Sequence, residues 1–308
     1  MSPYPLLVDL VRARIGAVIF AKVAGEDGDA ARDRIHLSPG RRWFPQDAPI
    51  CRVHADAAMF VGGIRALLLQ SLHPLAMAGV AQHSGYRGDP WGRLQRTSEF
   101  LATTTFGTAA DAERAVARVR GVHRRIRGVT SDGTPYAASD PHLLRWVHAA
   151  EADSFLTAYR RYGSGRLDQA DRDCYVAQTA EVAEALGAVG SPRSERELHT
   201  QLEEFRAELR STPEARAAAR FILFNAPVSA ALRPAYTGLA AAGVGLMPRW
   251  TRWPLRLPYL PIAEATVVRA AGQAVTSGIR WAVTAPADRP DPSVDRVQDQ
   301  PGDEPVPA

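Results

Sequence analysis

Apolar residues recur at helical spacing along nearly the whole chain, and short breaks rich in glycine, proline and aspartate separate one periodic stretch from the next. Alternating apolar and polar residues, the pattern of a half-buried strand, are scarce. No segment repeats at a fixed period. The sequence therefore predicts an all-α fold, with a single multi-helix domain over residues 1–285. The predicted helices lie near residues 7–23, 55–71, 89–105, 111–127, 140–162, 168–187, 194–209, 213–224, 228–246 and 261–284.

Several residues mark where these helices begin or break. Asp140 is followed by proline, which suits an N-cap with proline at the first helical position. Ser194 with Glu197 three residues later predicts a capping box. His73 precedes Pro74, and proline disfavours the helical conformation for the residue before it. We therefore expect His73 at a kink or at a helix end.

The last 23 residues, 286–308, differ from the rest in composition. They are rich in proline and aspartate, lack aromatic residues and have almost no large apolar ones. Such a segment cannot bury enough apolar surface to offset its ordering entropy. We predict a disordered C-terminal tail.

The charge distribution argues against a nucleic-acid partner. The net charge is +4, and the acidic tail leaves a mildly basic body. A basic body can attract nucleic acid, but here the bases alternate with acids along predicted helices, which is typical of solvated faces. The sequence contains no zinc-finger spacing and no dense block of lysine and arginine.

The cysteines and the N-terminal segment favour a cytoplasmic location. Cys51 and Cys174 form no CxxC pair and no metal-ligand cluster, so a reducing compartment is expected. The first 25 residues are mildly apolar, but Asp9, Arg12 and Arg14 interrupt them, and they resemble neither a signal peptide nor a membrane span. We expect a soluble cytoplasmic protein.

The segment 247–261, MPRWTRWPLRLPYLP, mixes tryptophan, tyrosine and arginine, a combination that suits a membrane interface. Its prolines break the amphipathic helix that an interfacial anchor normally uses, so packing of its tryptophans on the core is the favoured interpretation. A weak peripheral membrane contact remains the alternative.

Two polar residues share one face of the helix predicted over 89–105. Arg93 and Thr97 are four residues apart, and a guanidinium beside a hydroxyl can bind an anion or a polar oxygen species. A surface contact without function is the competing interpretation. His83 precedes this helix in a turn and is a weaker candidate for acid–base chemistry.

A histidine lies on the apolar stripe of the helix predicted over 111–127. His123 follows Val116 by seven residues and Val119 by four, so it is expected on the buried face. A lone histidine there is usually a hydrogen-bonded core residue, but a neutral imidazole on an apolar face is also what a haem pocket supplies as its iron ligand. Arginines beside it, Arg127 among them, could pair with propionates. His148, on the helix predicted over 140–162, is a second buried-histidine candidate.

Other common catalytic motifs are absent from the sequence. It contains no GxSxG elbow, no phosphate-binding GxxxxGK[ST] loop, no GxGxxG after a strand and no HExxH.

Taken in order, five segments resemble the MpaB-like, or rubber-oxygenase (latex clearing protein), catalytic-domain family. They are LLLQSLHPLAMAGVAQHSGY, DPWGRLQRT, VRGVHRRIRG, YAASDPHLLRWVHA and YVAQTAEVAEALGA, and the resemblance covers about residues 50–225. It implies an all-α domain that holds a b-type haem and carries out oxygen-dependent chemistry. It also implies that His123 is the proximal iron ligand and that Arg93 and Thr97 are the polar pair of the distal helix.

The chain departs from the rubber oxygenases at two places. They have a lysine just before the threonine, whereas this chain has Arg96, which cannot ligate iron while protonated. They also have a glutamate upstream of the arginine, whereas LAMAGVAQHS contains no carboxylate. We therefore expect this chain to share the haem-binding scaffold of the family rather than its cleavage of a polymer.

The expected function is that of a haem-b-dependent oxygenase or peroxygenase acting on a small apolar substrate with O2 or peroxide. Arg93 would donate hydrogen bonds to the oxidant, Thr97 would assist, and His83 could serve as a distal acid–base group. A non-catalytic haem- or lipid-binding helical module is the alternative, and turnover would distinguish the two. A helical partner-binding protein without cofactor is a third possibility.

Overall fold

The computed structural model describes residues 4–25, 27–85 and 87–283, and this part of the chain is helical apart from one small hairpin of strands. The all-α prediction is confirmed. The predicted tail, 286–308, lies outside the described residues. The α-helices are α1 (Tyr4–Ala24), α2 (Gly28–Leu37), α3 (Pro49–His54), α4 (Ala58–Gln70), α5 (Pro74–His83), α6 (Pro90–Phe106), α7 (Ala109–Arg125), α8 (Pro141–Tyr162), α9 (Gln169–Leu186), α10 (Glu195–Phe205), α11 (Pro213–Phe224), α12 (Arg233–Gly245), α13 (Arg249–Arg252), α14 (Pro261–Ala263) and α15 (Arg269–Val283).

Two short strands connect α7 to α8. They are β1 (Arg127–Val129) and β2 (Pro135–Ala137), which pair antiparallel with Gly128 opposite Tyr136. The predicted helix over 111–127 therefore ends two residues early, and Arg127 lies in a strand. A π-helical turn, Glu264–Val268, also interrupts the last predicted helix.

The predicted helix starts are largely confirmed. The Asp140 carboxylate accepts a hydrogen bond from the backbone N–H of His142, with proline at the first helical position. The Ser194 hydroxyl accepts from the N–H of Glu197 at 3.2 Å, but the Glu197 carboxylate accepts from the N–H of Arg193, so only half of the predicted capping box forms. His73 is the N-cap of α5, where the chain bends by 108° between α4 and α5.

At the centre of the fold, α4 and α8 pack antiparallel to each other and form the most extensive helix pair in the described chain. Gly62 makes the close approach possible, because a Cβ at this position would lie 2.7 Å from the Phe155 ring. Val61 and Leu68 of α4 and Trp146 of α8 are fully buried in the surrounding core. The helices α11, α12 and α15 complete this layer.

A buried ion pair joins the two central helices. Arg65 of α4 is 3% exposed and Asp153 of α8 is 7% exposed. The Arg65 guanidinium donates to the Asp153 carboxylate at 2.6 Å, to the Ser154 hydroxyl at 2.6 Å and to the Leu246 carbonyl at 3.0 Å. It therefore ties α4, α8 and the end of α12 together.

The helices α6 and α7 form a hairpin that packs outside the layer of α4, α8, α11, α12 and α15. It packs mainly on α1, α2, α3 and α9. The Thr108 hydroxyl caps α7 by accepting from the N–H of Asp111, and it donates to the Asp111 carboxylate at 2.7 Å. Only Gly107 and Thr108 separate the two helices.

Within the described residues, no single helix is both long enough and apolar enough to cross a membrane, and only the bent pair of α4 and α5 reaches that length and composition.

Removing the Asp153 carboxylate should strongly destabilise the protein, because Arg65 would keep a buried charge without its partner. We expect Asp153→Ala to lower the free energy of unfolding by about 3–5 kcal/mol. The matched control is Glu203→Ala, which removes the exposed partner of Arg206 at 2.7 Å and should cost about 0–1 kcal/mol. Chemical denaturation of both variants measures the difference. Equal losses would contradict a central role for the buried pair.

Candidate active site

The α6/α7 hairpin places Arg93 and His123 at about the same distance from the connection between its two helices. The two helices pack against each other across a two-residue connection. His123 lies about four helical turns after this connection, and Arg93 lies about four turns before it. Both residues therefore lie at the open end of the hairpin, as the sequence predicts for consecutive helices joined by a short link.

His123 is half-buried, and its ring is a candidate ligand. The Nδ1 atom is shielded from solvent and has no hydrogen-bond partner among the described residues. Burial lowers the pKa of His123 below its usual value. The imidazole is therefore neutral at neutral pH, which is the form that binds a metal. A buried ring nitrogen without a partner is uncommon in native proteins, and a bound group would account for it.

Arg93 and Thr97 lie on one face of α6, but their hydrogen bonds differ. The Arg93 guanidinium donates to the Ser84 hydroxyl at 2.7 Å, which fixes the first turn of α6 to the end of α5. The Thr97 hydroxyl donates to the Arg93 carbonyl at 3.0 Å and is exposed. Arg96 is also exposed and pairs with Asp89 at 3.3 Å.

His83 and Arg127 lie near this region but have ordinary surface contacts. The His83 ring lies 3.1 Å from the Tyr136 hydroxyl, which itself donates to Gln82 at 2.7 Å. His83 also directly precedes Ser84, the partner of Arg93. Arg127 is exposed, follows His123 by four residues, and donates to the Arg124 carbonyl at 3.1 Å.

One face of α4 is open although the helix is central. A Cβ built at Gly63 would meet no atom within 4 Å, and Leu67, one turn later, is 41% exposed. On the hairpin, Leu94 of α6 is 38% exposed and Val122 of α7 is 40% exposed. Apolar surface is therefore open on the central helix and at the open end of the hairpin. The open face of α4 is formed by Gly63 and Leu67, whereas Met59, Phe60 and Gln70 on the same side of the helix are partly buried.

A face of α8 carries two ionisable residues one turn apart. Burial lowers the pKa of His148 to about 4, with a smaller contribution from the positive charge of Arg193. Burial raises the pKa of Glu151 to about 7. The Nε2 atom of His148 has no hydrogen-bond partner among the described residues. At neutral pH, His148 is uncharged and Glu151 is poised to take up or release a proton.

Glu151 was not singled out by the sequence, although it follows His148 by three residues. Its environment comes from distant parts of the chain. Burial raises the pKa of Tyr175 well above its usual value, and the negative charge of Glu151 contributes. The Tyr175 hydroxyl lies 3.5 Å from Nε2 of the half-buried His54, whose Nδ1 lies 2.8 Å from the Thr105 hydroxyl. A polar network therefore connects α3, α6 and α9, and the charge of Glu151 on α8 acts on its Tyr175.

The opposite pKa shifts of Glu151 and His148 predict a measurable pH dependence of stability. Folded Glu151 holds its proton to about pH 7, whereas the unfolded group loses it near 4.5, so this group's contribution to stability is lost between these values. His148 acts in the opposite direction between about pH 4 and 6.5. We expect the stability difference, wild type minus Glu151→Gln, to fall as the pH rises towards 7 and to level off above it. Denaturation at a series of pH values measures this difference, and parallel profiles would show that Glu151 has an ordinary pKa.

The comparison with protein families finds a match, which covers the segment that carries the candidate site. The description "ER-bound oxygenase mpaB/B'/Rubber oxygenase, catalytic domain" matches residues 51–277, which include α4 to α12, His123, Arg93 and Glu151. No curated protein and no solved structure matches the chain. The match extends beyond the 50–225 region in which the sequence motifs lie, and it covers well over half of the chain. The protein belongs to the family of mpaB/B′ and rubber oxygenase catalytic domains.

Proposed function

We propose that this protein is a haem-b-dependent oxygenase or peroxygenase in which His123 ligates the iron. The observation that carries the proposal is the neutral imidazole of His123, which has a buried nitrogen without a partner among the described residues and lies at the open end of the hairpin in an oxygenase-family chain.

The surroundings of His123 suit a flat, largely apolar cofactor with two carboxylates. Leu94 and Val122, at the same end of the hairpin, offer exposed apolar surface, and its burial would be favourable at roughly 25 cal/mol per Å². Arginines bind carboxylates well, and the exposed Arg127 follows His123 by four residues, at the start of β1. The residues present therefore fit the group.

In the proposed mechanism, bound haem b supplies the iron centre at which O2 or peroxide is activated. Arg93 is held by Ser84 at 2.7 Å, so its guanidinium can donate hydrogen bonds with little reorganisation. A fixed donor of this kind stabilises developing negative charge by about 3 kcal/mol in a site that excludes water. Thr97, on the same face, would assist by orienting the oxidant.

The segment LAMAGVAQHS lacks the glutamate of the rubber oxygenases, and Glu151 is proposed as a proton-transfer group on the basis of its raised pKa. Its pKa of about 7 lets it both accept and release a proton at neutral pH. This assignment replaces the weaker expectation for His83, which is exposed and engaged with Tyr136.

The proposed substrate is a small apolar molecule. The open face of α4 around Gly63 and Leu67 would bury an apolar ligand without hydrogen-bonding it. Arg96 stands where the rubber oxygenases have lysine, and it pairs with Asp89 at the surface. Cleavage of polyisoprene is therefore not part of the proposal.

The segment 247–261 supports a second candidate, a haem- or lipid-binding module that contacts a membrane. Trp253 is 88% exposed, and Leu260 and Ile262, at and just after the end of this segment, are also exposed. Trp250 in contrast packs against the core and stacks with Arg206. Catalytic turnover with O2 or peroxide favours the oxygenase, whereas vesicle binding without turnover favours the module.

Replacing His123 should remove the haem while leaving the fold intact. His123 contributes no hydrogen bond through its buried nitrogen, so His123→Ala should fold. We expect the variant to lose its Soret absorbance after expression with haem supply. His148→Ala is the matched control, because it also removes a buried histidine with an unpartnered nitrogen. Normal haem content in His123→Ala and loss in His148→Ala would transfer the ligand role to His148.

Replacing Arg93 should impair reactivity more than haem binding. We expect Arg93→Ala to keep most of its haem but to react with O2 or peroxide about 100-fold more slowly, the usual cost of removing one fixed donor. Thr97→Ala should have a smaller effect, since the Thr97 hydroxyl already donates to its own helix. The exposed Arg96→Ala is the control. Unchanged kinetics in Arg93→Ala would show that the Arg93–Ser84 contact is purely structural.

A further inference from the structure

Two histidines and a glutamate converge where α4 bends into α5. Nε2 of His142 lies 2.9 Å from both carboxylate oxygens of Glu208, and Nε2 of His73 lies 3.4 Å from one of them. One ligand atom from each of the three residues lies within 4.8 Å of the others. None of the three belongs to the proposed haem site, and their chemistry is that of a metal-binding set.

His73 has the environment of a ligand rather than of a core residue. It is only 2% exposed, yet neither ring nitrogen makes a hydrogen bond with the described residues. Its ring packs near Trp146 and Phe205, with centroids 6.3 Å away in both cases. A buried imidazole normally satisfies both nitrogens. Nε2 instead faces the Glu208 carboxylate at the edge of the core.

The backbone holds the three residues in place. His73 is the N-cap of α5, His142 is the second residue of α8, and Glu208 follows α10 in a turn closed by its own N–H to the Phe205 carbonyl at 2.9 Å. The N–H of Arg210 donates to the Leu72 carbonyl at 2.9 Å, which joins this turn to the α4–α5 bend. The three side chains are therefore held by helix ends and by a hydrogen-bonded turn.

We propose that His73, His142 and Glu208 form a binding site for a divalent transition-metal ion of the zinc class. Two imidazole nitrogens and one carboxylate oxygen are a common set for Zn²⁺, with water as the fourth ligand. Ligand atoms on a tetrahedral zinc ion lie about 3.3 Å apart, given bonds of about 2.0–2.1 Å. The two N–O distances of 2.9 and 3.4 Å bracket this value. His142 and Glu208 are partly exposed, so an ion can enter from solvent.

A bound ion would join three segments that are distant in sequence. An ion there would connect the α4–α5 bend, the first turn of α8 and the turn after α10. It would replace the hydrogen bond between His142 and Glu208 and give the buried ring of His73 a partner. Metal binding to the folded state should therefore raise the melting temperature. This role is independent of the proposed haem site.

The test is a titration of the chelator-stripped full-length protein with Zn²⁺, followed by calorimetry and by thermal unfolding. We expect one ion per chain and a higher melting temperature. Substitution with Co²⁺ should give the visible bands of a four-coordinate ion. Glu208→Gln, which keeps the shape of the side chain, and His142→Ala should each weaken Zn²⁺ binding at least about tenfold. His73→Ala is less informative because its site is buried and the variant could misfold.

His199→Ala is the matched control, because His199 is an exposed histidine of α10 outside this group. It should bind Zn²⁺ as the wild type does, and Glu208→Gln should retain its haem content. Equal Zn²⁺ affinity in wild type and Glu208→Gln, or no saturable binding, would overturn the proposal. Binding of Fe²⁺ under anaerobic conditions without binding of Zn²⁺ would also overturn it, since the same donor set occurs in iron sites.

Discussion

The ion pair between Arg65 and Asp153 is the contact on which the rest of the structure depends. Burying a guanidinium is costly unless every donor is used, and here the Arg65 donors reach a carboxylate, a hydroxyl and a backbone carbonyl. These acceptors belong to α8 and to the residue after α12. The pair therefore fixes both the rotation and the height of α4 relative to its neighbours.

Once α4 is fixed in this way, its faces have different roles. The face with Val61 and Leu68 is buried in the core, whereas the face with Gly63 and Leu67 is open. On α8, Glu151 precedes Asp153 by two residues and so points to a different side from the ion pair. The helices α4 and α8 thus carry both the Arg65–Asp153 ion pair and residues proposed to act in the reaction, but different side chains serve the two roles. A change that rotates α4 would therefore affect both the stability of the fold and the open face of this helix.

Much of the fold could be predicted because the relevant signals are local. Apolar spacing and caps such as Asp140 located most of the long helices to within a few residues. The short helices α2 and α3 were missed because they offer less than three turns of periodicity. The strand at Arg127 was missed because the basic, helix-like sequence continues past Arg125, and only pairing with Pro135–Ala137 decides its conformation.

The candidate site was predictable in part for the same reason. The four-residue spacing of Arg93 and Thr97 and the stripe around His123 are local patterns. The raised pKa of Glu151 and the group of His73, His142 and Glu208 depend on residues far apart in sequence, so spacing alone does not reveal them. The partner of Arg93, the Ser84 hydroxyl, lies nine residues away across a turn and was also not evident.

The most direct test of the central claim is a titration of the purified full-length protein, freed of cofactor, with haem b. The account predicts saturable binding of one haem per chain, with a Soret band and the spectrum of histidine-ligated iron. A folded protein that binds no haem, or binds it without saturation, would contradict the proposed haem-dependent function.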